Sequence, residues 1–325
     1  MAPADNSPAD RSPMLPTDVV QGVCPYARAF VQAALADTQA AAIVVTTACD
    51  QMRHAAGLLA DISPRKHNGR CPVFLLNVPS TWRTAAAKRL YRDELKRFGR
   101  FLVELGGKSP SPAQLARVML DHQRARSALR ETRERLSGRQ FAEAIAALRG
   151  QPTPPRDTGG APPPSGGIPL AIVGGPLLEA DYAILDLIEQ AGGRLVLNAT
   201  EGGERTLPAD FDRQRIDDDP LRELADAYFT GIPDAFRRPN TELYEWLGRE
   251  MAARDVRGVL LRRYVWCDIW HAELYKLKQW SPVPVLDTSA FYEDSALRED
   301  NAFHDGAGSL AHTAGRIETF MEILK

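Results

Sequence analysis

Apolar positions along the chain recur in two rhythms, and the switches between them mark its elements. After Cys24, Ala27, Phe30, Val31, Ala34 and Leu35 return at helical spacing, and Pro25 suits the first helical position. AAIVVTTA (41–48) is a short β-branched run that predicts a buried strand. DQMRHAAGLLADI follows as a helix that Asp50 can cap, and CPVFLLNVP (71–79) predicts a second strand. Two strands that are apolar throughout, joined by a helix, imply a parallel sheet covered on both faces. Residues 84–105 predict an amphipathic helix through Leu90, Tyr91, Leu95, Phe98, Leu102 and Leu105. A capping box at Ser111–Gln114 starts another helix that runs to about 136, and 139–149 add a short one.

Beyond that helical stretch the strand rhythm returns. IPLAIVGG (168–175) predicts a strand ending in glycines, followed by a helix over 177–191 and the strand GGRLVLNAT. VRGVLLRRYVW (256–266), DIWHAELYKLKQW and VPVLDTSA (283–290) predict strand, helix and strand, and TAGRIETFMEILK closes the chain as a helix. Alternation of this kind, with right-handed crossovers, predicts a doubly wound parallel sheet. Residues 151–167, QPTPPRDTGGAPPPSGG, hold six Pro and four Gly in seventeen positions and read as a linker. The expected organisation is a disordered leader over 1–16, an N-terminal α/β lobe over 17–107, a helical arm over 108–150, the linker over 151–167 and a C-terminal α/β lobe over 168–325.

Bulk composition narrows the function classes. Lys and Arg number 40 against 42 Asp and Glu, a formal charge of −2 that lacks the basic excess of a nucleic-acid binder. No apolar run approaches the roughly 18 residues of a membrane span, and the Pro-, Ala- and Asp-rich start has no signal-peptide core. A cytoplasmic protein is expected, with neither nucleic acid nor membrane as partner. In that reducing compartment Cys24, Cys49, Cys71 and Cys267 read as core thiols, metal ligands or nucleophiles.

Two of these cysteines occupy a repeated pattern. AAIVVTTA-Cys49-Asp50 leads through a helix to Pro72-Val73, and GVLLRRYVW-Cys267-Asp268 leads through a helix to Pro282-Val283. Both cysteines therefore fall at carboxyl ends of parallel strands, where open α/β sheets bind ligands. Cys24, Cys49 and Cys267 each precede a helix, whose positive end favours the thiolate that binds metal. A lone cysteine at a strand end is more often a small buried hydrophobe, and Cys71, which opens a strand with no helix behind it, is read that way.

The run VCPYARAFVQAALADTQAAAIVVTTACDQMRHAAGLL resembles the cluster-binding segment of the 2-hydroxyacyl-CoA dehydratase and benzoyl-CoA reductase family. So do VFLLNVPST, the GGP after the 168–173 strand, WCD at 266–268 with HAELYKLKQ, and the closing RIETFMEIL. The resemblance runs from about residue 20 to the C-terminus and is to subunits like the 2-hydroxyglutaryl-CoA dehydratase D-component. It implies two Rossmann-like lobes with a helical arm, and a 4Fe–4S cluster on three cysteines that map onto Cys24, Cys49 and Cys267. It also implies an ATP-hydrolysing iron–sulfur activator as electron donor, an acyl-CoA substrate converted through a ketyl radical, and a homologous subunit as partner in a heterodimer or homodimer. Dehydration and aromatic-ring reduction both occur in the family. Family subunits usually carry a longer segment before the first cysteine, and only 23 residues precede Cys24 here. That leaves a second expectation, a 4Fe–4S electron-transfer or partner subunit without its own substrate site; a third is a cluster-free small-molecule binder on the same fold.

The remaining polar residues draw weaker readings, and no catalytic residue is assigned. His54 and His271 take matching places behind Cys49 and Cys267, and a half-exposed helix histidine is the more common occupant of such a place. Asp50 and Asp268 read as helix caps ahead of acids. Tyr26, Trp266 and Trp270 flank the cysteines and are expected to shield them from water. Gly174-Gly175-Pro176 predicts a tight strand-to-helix turn, and no P-loop pattern occurs. The Arg-rich stretch 124–139, mixed with Glu, reads as a solvated helix face.

Overall fold

The computed structural model describes residues 23–62, 71–150, 166–288 and 306–325. The expected leader, most of the linker and the last two residues of the 283–290 strand lie outside them. The chain divides into two compact units, Met1–Leu76 and Asn77–Lys325. Both are α/β with parallel strands.

In the first unit, α1 (Pro25–Ala36), β1 (Ile43–Thr46), α2 (Asp50–Ile62) and β2 (Val73–Leu76) follow in order, and β1 pairs with β2 in parallel. Val23, Ala27 and Val31 from the α1 side meet Ile43 and Val45 of β1 and Ala55, Ala56 and Leu59 of α2. The unbroken apolar runs predict cover on both faces, and each face is covered only in part. In the parallel register Val45 shares a face with Leu75 and Val44 with Phe74; Val45 and Phe74 are buried, whereas Val44 and Leu75 are each 38% exposed.

The second unit opens with three helices, α3 (Ala85–Glu104), α4 (Pro112–Thr132) and α5 (Gly138–Gly150). The capping box at Ser111 forms as expected, with Gln114 returning its side chain to the Ser111 N–H. These helices join the body of the unit: α3 and α4 pack on the helix Pro220–Phe229, and α5 on the helix Ala183–Gln190. The arginines expected to be solvated do much of the anchoring. Arg139 Nε reaches Asp186 Oδ2 at 2.8 Å, Arg130 Nη2 reaches the Pro208 carbonyl at 2.7 Å, and Arg126 is buried over the ring of Phe211. A guanidinium at the end of a long stem spans the gap between helices while its methylenes pack against them.

The main sheet follows. Its elements are β3 (Ile168–Gly174), α6 (Ala183–Gln190), β4 (Gly193–Ala199), α7 (Arg213–Asp218), α8 (Pro220–Phe229), α9 (Thr241–Ala253), β5 (Gly258–Arg262), α10 (Asp268–Trp280), β6 (Val285–Asp287) and α11 (Gly306–Leu324). The strand order is β4-β3-β5-β6, all parallel. Alternate side chains of one strand face opposite ways, and helices meet them on both faces. Leu170, Ile172 and Leu260 pack against α6 and α11, whereas Ala171, Val173, Val259 and Leu261 pack against α9 and α10. A bulge between Leu170 and Ala171 lets Leu195 join the first layer and Leu197 the second. From β3 the chain steps one way to β4, then returns past β3 to β5. The direction of winding therefore switches between β3 and β5, and a crevice opens at the carboxyl ends of such strands. Helices α7 to α9 fall in a stretch where the hydrophobic pattern had predicted no element.

Candidate functional site

The first unit brings two of the three expected ligands together at neighbouring helix starts. Cys24 is the N-cap of α1, and its Sγ accepts the Ala27 N–H at 3.4 Å. Cys49 precedes α2, and its carbonyl accepts the first helical bond from Arg53. Gln51, in the first turn of α2, ties the two starts by accepting the Cys24 N–H on its Oε1 at 2.8 Å. The thiols are close enough that the charge of Cys49 opposes ionisation of Cys24. The helix-start argument predicts a lowered thiol pKa, but burial pushes Cys24 up and outweighs the lowering by the Ala27 N–H. Desolvation dominates both the fixed backbone dipoles and the weaker pull of the Arg28 charge.

Cys267 stands in the second unit at the same local position, as the N-cap of α10. Its carbonyl accepts from His271, and its own N–H donates to the Tyr264 carbonyl at 3.1 Å. The sequence had predicted strand as far as Trp266, but β5 stops at Arg262 because its next residues turn to meet a buried acid. Asp181, 2% exposed, accepts from the equally buried Arg262 guanidinium and from the Tyr264 hydroxyl. Its Oδ2 also takes the Leu178 N–H at 3.0 Å. This clamp joins the segment after β3 to the segment that carries Cys267. Directly before the cysteine, Trp266 adopts φ of 62°, an uncommon conformation for a bulky residue, and stands 40% exposed.

The glycine turn lies against the same strand end. Gly174 has φ of +149°, and a Cβ there would fall 1.7 Å from the Arg262 carbonyl oxygen. Gly175 donates to that oxygen at 3.2 Å, and Glu201, after β4, donates to the Gly175 carbonyl. The ends of β3, β4 and β5 are thus laced together around the winding switch. Arg205 extends the lacing. It bonds the Ala199 carbonyl at 3.0 Å and Asp234 at 2.7 Å, and lies over the ring of Trp270 in α10.

Several weaker expectations find definite places. His54 and His271 are exposed on their helices. Asp50 and Asp268 sit inside the first turn, since the cysteines themselves hold the cap positions; there their charge still complements the helix dipole. Trp270 is core, with its indole N–H toward Glu201, and the Cys71 thiol donates to the Ala40 carbonyl beside the first unit's core. Glu273 is buried and ties α10 to α9, accepting from Asn240 at 2.7 Å and Tyr244 at 2.6 Å. The sequence did not single out Gln51, Asp181, Arg262 or Tyr264. Only the unusual Arg262-Arg263 pair ending an otherwise apolar strand hinted at a buried acid.

Adjacent thiols at helix starts are the donor chemistry that iron–sulfur clusters use. Among the described residues, no three His, Cys, Asp or Glu side chains within one unit are grouped to hold a metal ion. No helix among them is long and apolar enough to cross a membrane.

Parallel strands that each run through a cysteine into a helix define a class of α/β proteins presenting thiols at the carboxyl edges of their sheets. Within that class the chain is placed by its whole length. It belongs to the 2-hydroxyglutaryl-CoA dehydratase D-component family, whose model matches residues 10–324. The family is one of dehydratase components. No curated protein matches the chain.

Proposed function

We propose that the chain is the iron–sulfur subunit of a 2-hydroxyacyl-CoA dehydratase, or of the related aromatic acyl-CoA reductases, with Cys24, Cys49 and Cys267 holding one 4Fe–4S cluster. The observation that carries this reading is the pairing of Cys24 and Cys49 at two tied helix starts, with Cys267 at the same strand–Cys–Asp–helix position in the second unit. Membership of the dehydratase-component family supports the substrate class.

When bound, such a cluster supplies one-electron chemistry at low potential. The protein's part is to hold and tune it. Burial of Cys24 excludes water, and the Ala27 N–H directed at its sulfur stabilises negative charge there. The Asp181 clamp and the Gly174 turn fix the segment that carries Cys267, so that its thiol is presented from a rigid strand end. An ATP-dependent iron–sulfur activator is the proposed electron donor, a homologous subunit the proposed partner and a CoA thioester the proposed electron acceptor.

The test is spectroscopic. The anaerobically purified chain, reduced by such an activator with ATP, is followed by electron paramagnetic resonance with and without a 2-hydroxyacyl-CoA. A reduced-cluster signal that changes on thioester addition is expected. A signal indifferent to every thioester would reduce the role to electron transfer without a substrate site, and no signal at all would overturn the reading.

A further inference from the structure

The segment between α8 and α9, with Trp82 and the first turns of α9, lines an open-sided cavity of about 170 Å³ wholly within the second unit. Trp82, Trp246 and Leu243 give it apolar walls, and Arg237 and Arg249 bring positive charge. Two carboxylates also line it, but each is already engaged. Asp234 accepts from Arg205 at 2.7 Å, and Glu242 from Arg83 Nε at 3.0 Å. Asp234 also lies near enough to act on the Arg237 charge, so Arg83, Arg205, Arg237 and Arg249 face two carboxylates and the cavity keeps an excess of positive charge.

Arg237 is the unusual one. It is only 5% exposed, and its Nε has no hydrogen-bond partner. Among the described residues its guanidinium makes one hydrogen bond, from Nη1 to the Pro79 carbonyl at a long 3.5 Å. Its flat faces lie against Phe229, Phe236 and Trp82, at 4.6, 5.0 and 5.9 Å from the ring centres. Ring faces attract a guanidinium, yet a buried cation with an unanswered donor still carries a desolvation cost. Arg249 is exposed at the rim and forms no ion pair among the described residues. The start of α9 adds to the same potential. Asn240 holds its N-cap position without capping, because its side chain is spent on Glu273 and Lys276.

We propose that this cavity binds a small organic carboxylate, its oxygens on Arg237 and its apolar body against the indole walls. A guanidinium matches a carboxylate, and a charge-assisted pair is the strong kind of hydrogen bond. The volume corresponds to about six waters and falls below the roughly 300–1,000 Å³ of pockets for drug-sized ligands. The ligand is therefore small, and a nucleotide is too large. A bare phosphate would leave the tryptophan walls uncovered.

The test uses the full chain. Phenylacetate, phenylacetamide and inorganic phosphate are each titrated by calorimetry, with tryptophan fluorescence as a second signal. Saturable binding is expected for phenylacetate, at least about tenfold tighter than for phenylacetamide, since the amide forfeits the charge-assisted pair. Arg237→Gln should weaken phenylacetate binding by a similar factor. Because a buried arginine can also support folding, the exposed Arg249→Glu is made beside it; it should weaken binding about threefold or more through the reversed rim charge. Absence of saturable phenylacetate binding would overturn the proposal. So would an unchanged affinity in Arg249→Glu, equal affinity for the amide, or phosphate binding as tightly as phenylacetate.

Discussion

Removing the carboxylate of Asp181 perturbs the second unit where Cys267 is held. In Asp181→Ala the Arg262 guanidinium, 2% exposed, loses its carboxylate, and the Tyr264 hydroxyl and Leu178 N–H lose an acceptor. Breaking a buried ion pair from one side costs about 3–5 kcal/mol, because the other charge stays buried. The Tyr264 hydroxyl keeps the Leu178 N–H at 3.0 Å but loses its acceptor, which adds about 1–3 kcal/mol, and local relaxation and water entry recover part of the total. A net loss of about 4 kcal/mol is therefore expected. Asp181→Asn, which keeps an acceptor but not the charge, should lose about 2 kcal/mol, midway between a neutral hydrogen bond and the full pair. Urea unfolding followed by circular dichroism measures both, and hydrogen exchange at Leu178 reports whether the loss is local. The decisive comparison is Asp181→Ala with Arg262→Met in one chain. If the cost comes from a stranded charge, the double variant is more stable than Asp181→Ala alone, whereas loss of packing would make it less stable. A double variant weaker than the single one, or a single variant costing under about 1 kcal/mol, would refute the electrostatic account of the clamp.

Two further outcomes follow from backbone geometry and titration. Gly174→Ala should cost about 3 kcal/mol or more, because its Cβ would meet the backbone oxygen of Arg262, which cannot move aside without breaking β5. Gly57→Ala, within α2 where a Cβ meets nothing within 4 Å, should instead stabilise by about 0.5–1 kcal/mol; thermal melts separate the two. Burial, together with Asp181 beside Tyr264 and Glu273 beside Tyr244, raises both phenol pKa values above the ordinary 10.0. The folded chain then keeps protons that the unfolded chain releases, so stability is intact below pH 10 and falls as pH rises past it by about 1.4 kcal/mol per unit for each phenol. Urea midpoints measured from pH 9 to 11 should show that slope, and Tyr264→Phe with Tyr244→Phe should flatten it.

Much of the fold was legible in local pattern. Pro25 after Cys24 and the capping box at Ser111 rest on interactions within a few residues and appear where expected; the apolar strands fall within their predicted runs, although β5 is shorter than its run. The cysteine helix starts were legible for the same reason, although the cap positions fall to Cys49 and Cys267 themselves and not to the aspartates that follow. Long-range polar closure was not legible. Nothing near Arg262 announces Asp181, and only their contact explains why β5 ends before its apolar run does. The arginines of 124–139 looked solvated because their carboxylate and carbonyl partners lie elsewhere in the chain. The helices from 213 to 253 escaped notice because charged residues interrupt their apolar spacing, and the Arg237 cavity went with them. The exposed Val44 and Leu75 show the converse, since an apolar strand run does not by itself say what covers it.

The central claim, one cluster on Cys24, Cys49 and Cys267, is tested most directly by iron and acid-labile sulfide analysis of anaerobically purified protein. The account predicts about four irons and four sulfides per chain, as for a cubane. It predicts their loss in Cys24→Ala, Cys49→Ala and Cys267→Ala, and their retention in Cys71→Ala. A folded wild-type chain without iron, or a Cys267→Ala chain that keeps its full complement, would contradict it.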